Sequence, residues 1–205
     1  MKKVAATFDY ENSLWKQNKK YIVGIDEVGR GAWAGPLVAA AVVLPYRYVS
    51  KQEFFDSKLL NFSQRASLSS FIKEESETFG IGEVSVSEVI SLGLTAATQL
   101  AYLRAVEQLK VMPEHYLIDA FYLASIPKEL QTPIIHGDRL SASIAAASII
   151  AKSYRDQVMI DRANEYKKYG FENNKGYGTV FHQKAIKEFG LSNFHRSNYN
   201  LKFLA

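Results

Sequence analysis

The stretch Tyr21–Pro45, YIVGIDEVGRGAWAGPLVAAAVVLP, decides how this chain is read. A short apolar run, Tyr21 to Ile25, ends in two adjacent carboxylates, Asp26 and Glu27. An arginine bracketed by glycines follows (Gly29, Arg30, Gly31), then Gly35-Pro36 and a second apolar run, Leu37 to Leu44. Short apolar runs bounded by Gly and Pro predict neighbouring strands joined by a tight connection. Carboxylates at a strand end can hold hard divalent cations through oxygen. Glycine beside them lets backbone amides come close to a ligand, and Arg30 adds a fixed positive charge. Together these suit chemistry on a phosphate. Taken singly, the acid pair also fits a solvated turn, and Gly29-x-Gly31-x-x-Ala34 fits the dinucleotide fingerprint. That fingerprint needs a helix to open at the glycines, whereas Pro36 opens a β-like run.

Around this stretch, 205 residues with 47% hydrophobic content describe one domain, or one domain with a small appendage, able to bury a real core. No run approaches the roughly 18 apolar residues of a membrane span. The basic start, MKKVAATFDYENSLWKQNKK, meets Asp9 and Glu11 before any long apolar core and makes a poor signal peptide. The absence of cysteine excludes disulfides and thiolate metal sites, and fits a reducing, cytoplasmic compartment. Net charge is +4, unevenly spread: from Arg139 on there are 11 Lys or Arg against 5 Asp or Glu, and before it 14 against 16. A basic C-terminal third fits a polyanion partner, and equally fits a merely soluble basic surface.

Residues 1–20 read as an arm, 21–168 as the main domain, and 169–205 as a helical extension of the same unit. Ser63 is expected to cap a helix running to about Glu77. A third strand is expected over Phe79 to Val86, a helix start at Ser87 and Glu88, and an amphipathic helix over Leu94 to Leu109. His115 to Ile118 and Ile134-Ile135 read as short strands. A long helix is expected from Ser141 to Lys168, closed by Gly170, and a last one over Phe181 to Phe189. Three early strands, then strand and helix alternating, give an α/β domain with a mixed sheet and helices packed on it.

Asp119 repeats the arrangement of Asp26, closing the apolar run Tyr116 to Ile118, and Asp138 follows Ile134-Ile135 in the same way. In α/β sheets ligands gather at strand ends, so these acids can converge from distant positions. Asp119 also fits a loop, and Asp138 also fits a helix cap. Oxygen-only ligation favours Mg²⁺ or Mn²⁺ over Zn²⁺, and a cation relieves the repulsion among clustered carboxylates. His115, His136, His182 and His195 share no metal-ligand spacing; the first two sit in strand runs and read as packed residues. Ser57, Ser141 and Ser143 lack a nucleophile-elbow context.

GIDEVGRG followed by AGPLVAAAVVLP resembles the signature of the ribonuclease HII family, the type 2 ribonucleases H. So do Asp56-Ser57-Lys58, Asp119 in LIDAF, the run GDRLSASIAAASIIAK from Gly137 to Lys152, and NKGYGTVFH from Asn174 to His182. Arg30 favours this type over ribonuclease HIII, which carries lysine there. The resemblance spans roughly residues 21–197. It implies a ribonuclease H-like fold with a helical C-terminal extension, and a two-metal endoribonuclease using Mn²⁺ or Mg²⁺. The implied substrates are RNA–DNA hybrids and duplex DNA carrying single ribonucleotides. Asp26, Glu27, Asp119 and Asp138 match the family's metal-binding catalytic acids. Gly29, Arg30 and Gly31 match its loop for the ribose 2′-OH, Tyr177 its sugar-stacking tyrosine, and Ser57 and Lys58 its phosphodiester contacts. Departures are Ala32-Trp33 in place of Pro-Leu, Leu59 and Leu140 in place of lysines, and a tail, His195 to Tyr199, that follows the family ending only in part. The expectation is a monomer without membrane association; a basic nucleic-acid-binding module with structural acids is the competing reading.

Overall fold

The computed structural model describes residues 4–199 and 201. Its strands are β1 (Ile22–Val28), β2 (Leu37–Val43), β3 (Thr78–Val84), β4 (His115–Asp119) and β5 (Gln131–Ile134). They form one mixed sheet in the order β3-β2-β1-β4-β5. The β1–β2 and β2–β3 pairs are antiparallel, while β4 runs parallel to β1 and β5 parallel to β4. Central strands covered on both faces read as unbroken apolar runs, and β2, LVAAAVV, is buried along its whole length. The edge strand β3 alternates buried and half-buried residues instead.

The helices are α1 (Asp9–Lys16), α2 (Phe62–Glu75), α3 (Val86–Val106), α4 (Ala142–Ala163), α5 (Phe171–Asn174) and α6 (Val180–Phe189). α3 covers one sheet face, packing Ala97, Ala101 and Tyr102 on Val23, Ile25, Ala39 and Ala41. α4 and α2 cover the other, where Ile149, Ile150 and Leu68 meet Val38, Ala40 and Val42. Each such Ile or Leu contributes roughly 1.5–3 kcal/mol by burial. The alanines of α4 contribute closeness, and Gly24 completes it: a Cβ there would stand 2.1 Å from the Ser143 carbonyl carbon.

Several boundaries differ from the sequence reading, each for a local reason. The segment read as an arm contains α1, which buries Glu11, Leu14 and Trp15. α2 starts two residues early because Asn61 and Gln64 form a reciprocal capping box. Ser85 and Glu88 do the same for α3. The two segments expected there are the two halves of α3, which meet at a break at Gly93, where φ of 75° and ψ of 163° are non-helical. α3 is also the one described helix long and apolar enough by composition to cross a membrane, yet its Val89, Ala97, Ala101 and Tyr102 are buried against the sheet. α4 ends at Ala163, because Tyr166 turns away to stack on Phe194 at 5.1 Å. Gly170 therefore closes the short 3-10 turn Lys167–Tyr169, not α4. His115 is buried as expected, but His136 is exposed and left-handed, beyond the end of β5. No helix opens at Gly29–Ala34; β2 follows at Leu37.

Candidate active site

Asp26 and Glu27 are consecutive on β1, so their side chains leave opposite faces of the sheet. Asp26 turns toward α4, where the nearby Ser148 hydroxyl favours its charged form. Glu27 turns toward α3, where the Tyr102 hydroxyl donates to its Oε2. In the neighbouring parallel strand Ile118 pairs with Ile25, which sets Asp119 beside Asp26 at the same strand end. Asp119 Oδ1 accepts the Gly137 amide at 2.8 Å, which ties the turn carrying Asp138 to β4. Asp138 is buried, and the Lys58 ammonium reaches it at 3.3 Å.

A cavity of about 400 Å³ gathers Asp26, Glu27, Asp119, Ser57, Lys58, Ser148, Lys152 and Tyr177. A larger cavity of about 910 Å³ lies between α1 and residues 47–54, but it is lined by none of the four acids. Charge singles out the smaller cavity as the candidate site. Burial, then Glu27, Asp119 and Asp138, hold the Asp26 carboxyl well above the usual carboxylate range. Glu27 is raised by burial, against the pull of Tyr102 and Arg30. Asp119 is also raised by burial, with the Gly137 amide opposing. At Lys58 burial works to lower the ammonium, but Asp138, Asp56 and Asp26 outweigh it and the net shift is upward.

Among the described residues no three His, Cys, Asp or Glu side chains are set to close round one ion as they stand. The chemistry of the donors nonetheless fits a hard divalent cation. They are oxygen only, Asp26 and Asp138 are buried with Glu27 and Asp119 half-buried beside them, and their mutual repulsion is what a cation would relieve.

The other expected residues take distinct positions. Ser57 is buried, its hydroxyl 3.0 Å from that of Ser148. Lys58 is largely exposed at the rim. Tyr177 faces Lys152 and Arg155, each 5.3 Å from its ring centroid. Arg30 lies 3.7 Å from Glu27 and 4.4 Å from the Phe121 ring centroid. Gly29 has a φ of 95° and Gly31 stands in open space. Trp33 packs away from the acids: its ring lies where a Cβ on Gly178 would stand, and 5.6 Å from His182. Leu59 and Leu140 are exposed.

Sequence reasoning missed Tyr102, Ser148 and Lys152 as partners of the site. The 148/152 spacing, one helical turn on a helix expected to touch the sheet, was the available signal for two of them. Tyr102 carried none, since a tyrosine within an apolar helix reads as core.

The family model for ribonuclease HII matches residues 23–202. The ribonuclease HII of Thermosynechococcus vestitus is 45% identical over 191 residues, covering 93% of this chain and 88% of the relative. The crystal structure of ribonuclease H2 from Pyrococcus horikoshii superposes with a TM-score of 0.71 at 21% identity, covering 88% of this chain and 94% of that one. That of Bst-RNase HIII in complex with Mn²⁺ gives 0.64 at 20% identity, with 84% and 63% covered. The two structures bear on fold, which is the ribonuclease H-like mixed sheet. The sequence matches, over nearly the whole length, bear on descent: this chain belongs to the ribonuclease HII family of endoribonucleases.

Proposed function

We propose that this chain hydrolyses the RNA strand of RNA–DNA hybrids and incises duplex DNA on the 5′ side of a single embedded ribonucleotide. The products would carry 3′-hydroxyl and 5′-phosphate ends. The observation that carries the reading is the shared cavity, which collects Asp26, Glu27 and Asp119 with Lys58 and Tyr177, directly after β1 enters the Gly29–Gly31 loop.

Asp26, Glu27, Asp119 and Asp138 are the residues that would hold two divalent cations, Mg²⁺ or Mn²⁺. When bound, such ions supply an activated water, charge neutralisation at the phosphate and support for the departing 3′-oxygen. The Mn²⁺ complex of the structural neighbour supports that choice of ion. The chain's own groups do the rest. Tyr102 and Arg30 hold Glu27 in place from two sides. Lys58, exposed at the rim, is placed to meet a phosphate as a point charge. Ser57, buried on Ser148, steadies the segment entering Lys58. The Tyr177 ring offers a flat face for a sugar. The ribose 2′-OH, which tells RNA from DNA, is assigned to the backbone of Gly29, Arg30 and Gly31.

The test is a labelled DNA duplex with one ribonucleotide, incubated with Mg²⁺, with Mn²⁺ and with chelator. Metal-dependent incision 5′ of the ribonucleotide is the expected result. Cutting of longer hybrids alone would narrow the activity toward ribonuclease HIII-like specificity. Binding without incision would make the chain a nucleic-acid-binding module.

A further inference from the structure

Two guanidiniums lie buried beneath the Gly29–Pro36 loop, and neither has a carboxylate within salt-bridge distance among the described residues. Arg155, on α4, donates to the carbonyls of Pro36 at 2.9 Å, Ala34 at 3.0 Å and Lys175 at 2.9 Å. Arg196, from the tail, donates through Nε and Nη2 to Gly35 at 3.0 and 2.9 Å. Its Nη1 reaches the Gly29 carbonyl at 2.6 Å, the Arg30 carbonyl at 3.3 Å and the Tyr199 hydroxyl at 2.9 Å. Tyr199 in turn donates to the Arg30 carbonyl at 2.6 Å.

A buried cation without a carboxylate must be satisfied by dipoles, and here the dipoles are the carbonyls of the loop itself. The consequence lies on the loop's other side. The amides of Ala32, Trp33, Ala34 and Gly35 are taken by carbonyls of Gly29, Gly176 and Phe194. Those of Gly29, Arg30 and Gly31 have no acceptor among the described residues. With the carbonyls of residues 29 and 30 drawn down onto Arg196 and Tyr199, these are the amides left for a ligand.

We propose that Arg196 and Tyr199 are positioning residues for ribonucleotide recognition. By fixing the carbonyls of Gly29 and Arg30, they set the orientation of the amides that receive the 2′-OH. The guanidinium fork matters more than the charge: lysine can keep the charge but cannot span Gly29, Arg30 and Gly35 together. This inference rests on the function proposed above, so its test keeps the two apart.

Binding is measured in chelator, where no cutting occurs, for a duplex with one ribonucleotide and for the same duplex in all-DNA form. Incision is measured separately with Mg²⁺. Wild type is expected to prefer the ribonucleotide. Arg196→Lys should reduce that preference about tenfold and Tyr199→Phe by a smaller factor, since each charge-assisted or neutral bond lost is modest. All-DNA affinity should stay unchanged, and incision should show a raised KM with little change in kcat. Tyr199→Phe removes one hydroxyl and keeps the ring, so it remains informative if Arg196→Lys folds poorly. Folded variants that keep the full preference would overturn the inference. Wild type with neither incision nor preference would overturn the proposed function, and this inference with it.

Discussion

Glu11 caps the start of α4 through Ser143: its Oε1 accepts the Ser143 amide at 2.9 Å and the Ser143 hydroxyl at 2.6 Å. It also accepts the Ser141 hydroxyl at 2.6 Å, and the carboxylate is almost wholly buried. An acid at a helix N-terminus satisfies orphan amides and meets the positive end of the helix dipole. Asp138 sits three residues before Ser141, so the first helix holds the end of the chain segment that delivers an acid to the site. Glu11→Ala is expected to cost about 2–4 kcal/mol, the range for stranding several buried donors. Glu11→Gln keeps an acceptor oxygen and should cost less. Urea midpoints for the three proteins check this; equal stabilities would remove Glu11 from the support of the site.

That contact marks the limit of what was legible in the sequence. Strands β1, β2 and β4 were readable because burial on both faces leaves unbroken apolar runs, and their terminal acids stood out against them. The helix Asp9–Lys16, with its buried face of Glu11, Leu14 and Trp15, was not readable. Eight residues with Asp9, Glu11 and Lys16 look solvated until Ser141 and Ser143 arrive from 130 positions away. The kink at Gly93 was half legible, as a break between two helical patterns. Convergence of Asp26, Asp119 and Asp138 was inferable from strand-end logic, but Tyr102 on Glu27 and Arg196 under Gly29 depend on tertiary packing that no local pattern encodes.

Tyr102→Phe should shift the acid limb of the pH–rate profile. The hydroxyl favours the charged form of Glu27, opposing the burial that raises it. Without it Glu27 becomes a weaker acid, so activity that needs the carboxylate should fall off at higher pH than in wild type. A drop of roughly tenfold in kcat near neutrality, with substrate KM little changed, is the scale expected for one lost polar contact in a site. An unchanged acid limb would refute the role.

Removing one of the crowded acids should stabilise the metal-free protein. Asp26 is buried beside Glu27, Asp119 and Asp138, so Asp26→Asn relieves repulsion at a nearly isosteric cost. A rise of about 1–2 kcal/mol is expected from such a replacement, together with loss of cleavage. Saturating Mg²⁺ or Mn²⁺ should raise the melting temperature of wild type, by about 2.7 kcal/mol in stability at 100 times the dissociation constant. It should do so little for Asp26→Asn or Asp119→Asn. Asp119→Asn is expected to stay folded and lose cleavage, and a normal rate in that variant would exclude Asp119 from the chemistry.

The two glycines of the loop make separable predictions. A Cβ at Gly29 would stand 2.3 Å from Arg155 Nε, in a backbone at φ 95°. Gly29→Ala should therefore strain the loop by about 1–3 kcal/mol, and weaken ribonucleotide recognition more than duplex binding. Gly31 is free of positive φ, and a Cβ placed there would meet nothing within 4 Å. Gly31→Ala should leave the melting temperature near that of wild type while still weakening ribonucleotide recognition, because only a bound substrate would meet the methyl group. Wild-type recognition in Gly31→Ala would mean the substrate does not approach the loop there.

The buried histidines predict loss of stability in mild acid. His182 Nδ1 donates to the Tyr177 carbonyl at 2.9 Å, so its Nε2 accepts from His195 Nε2 at 3.0 Å. His195 Nδ1 then accepts from the Ser192 amide at 3.0 Å and hydroxyl at 2.7 Å. Both rings are neutral in this chain of bonds, and a proton on either accepting nitrogen, His182 Nε2 or His195 Nδ1, would break it. Burial, then His182, pulls His195 down to about 4, and burial followed by Lys19 does the same for His115. The unfolded chain binds these protons at the ordinary value of 6.5. Their contribution is thus fully present above that value and is lost as pH falls toward 4. The raised acids Asp26 and Glu27 act in the opposite sense, so the difference between wild type and His195→Gln isolates the histidine. Glutamine can still donate toward His182 but takes up no proton. Urea unfolding at pH 7.5 and pH 5 should therefore show a smaller loss of stability on acidification in His195→Gln than in wild type. An identical loss in the two proteins would mean that His195 is not held neutral, and the bond chain behind Tyr177 would need to be redrawn.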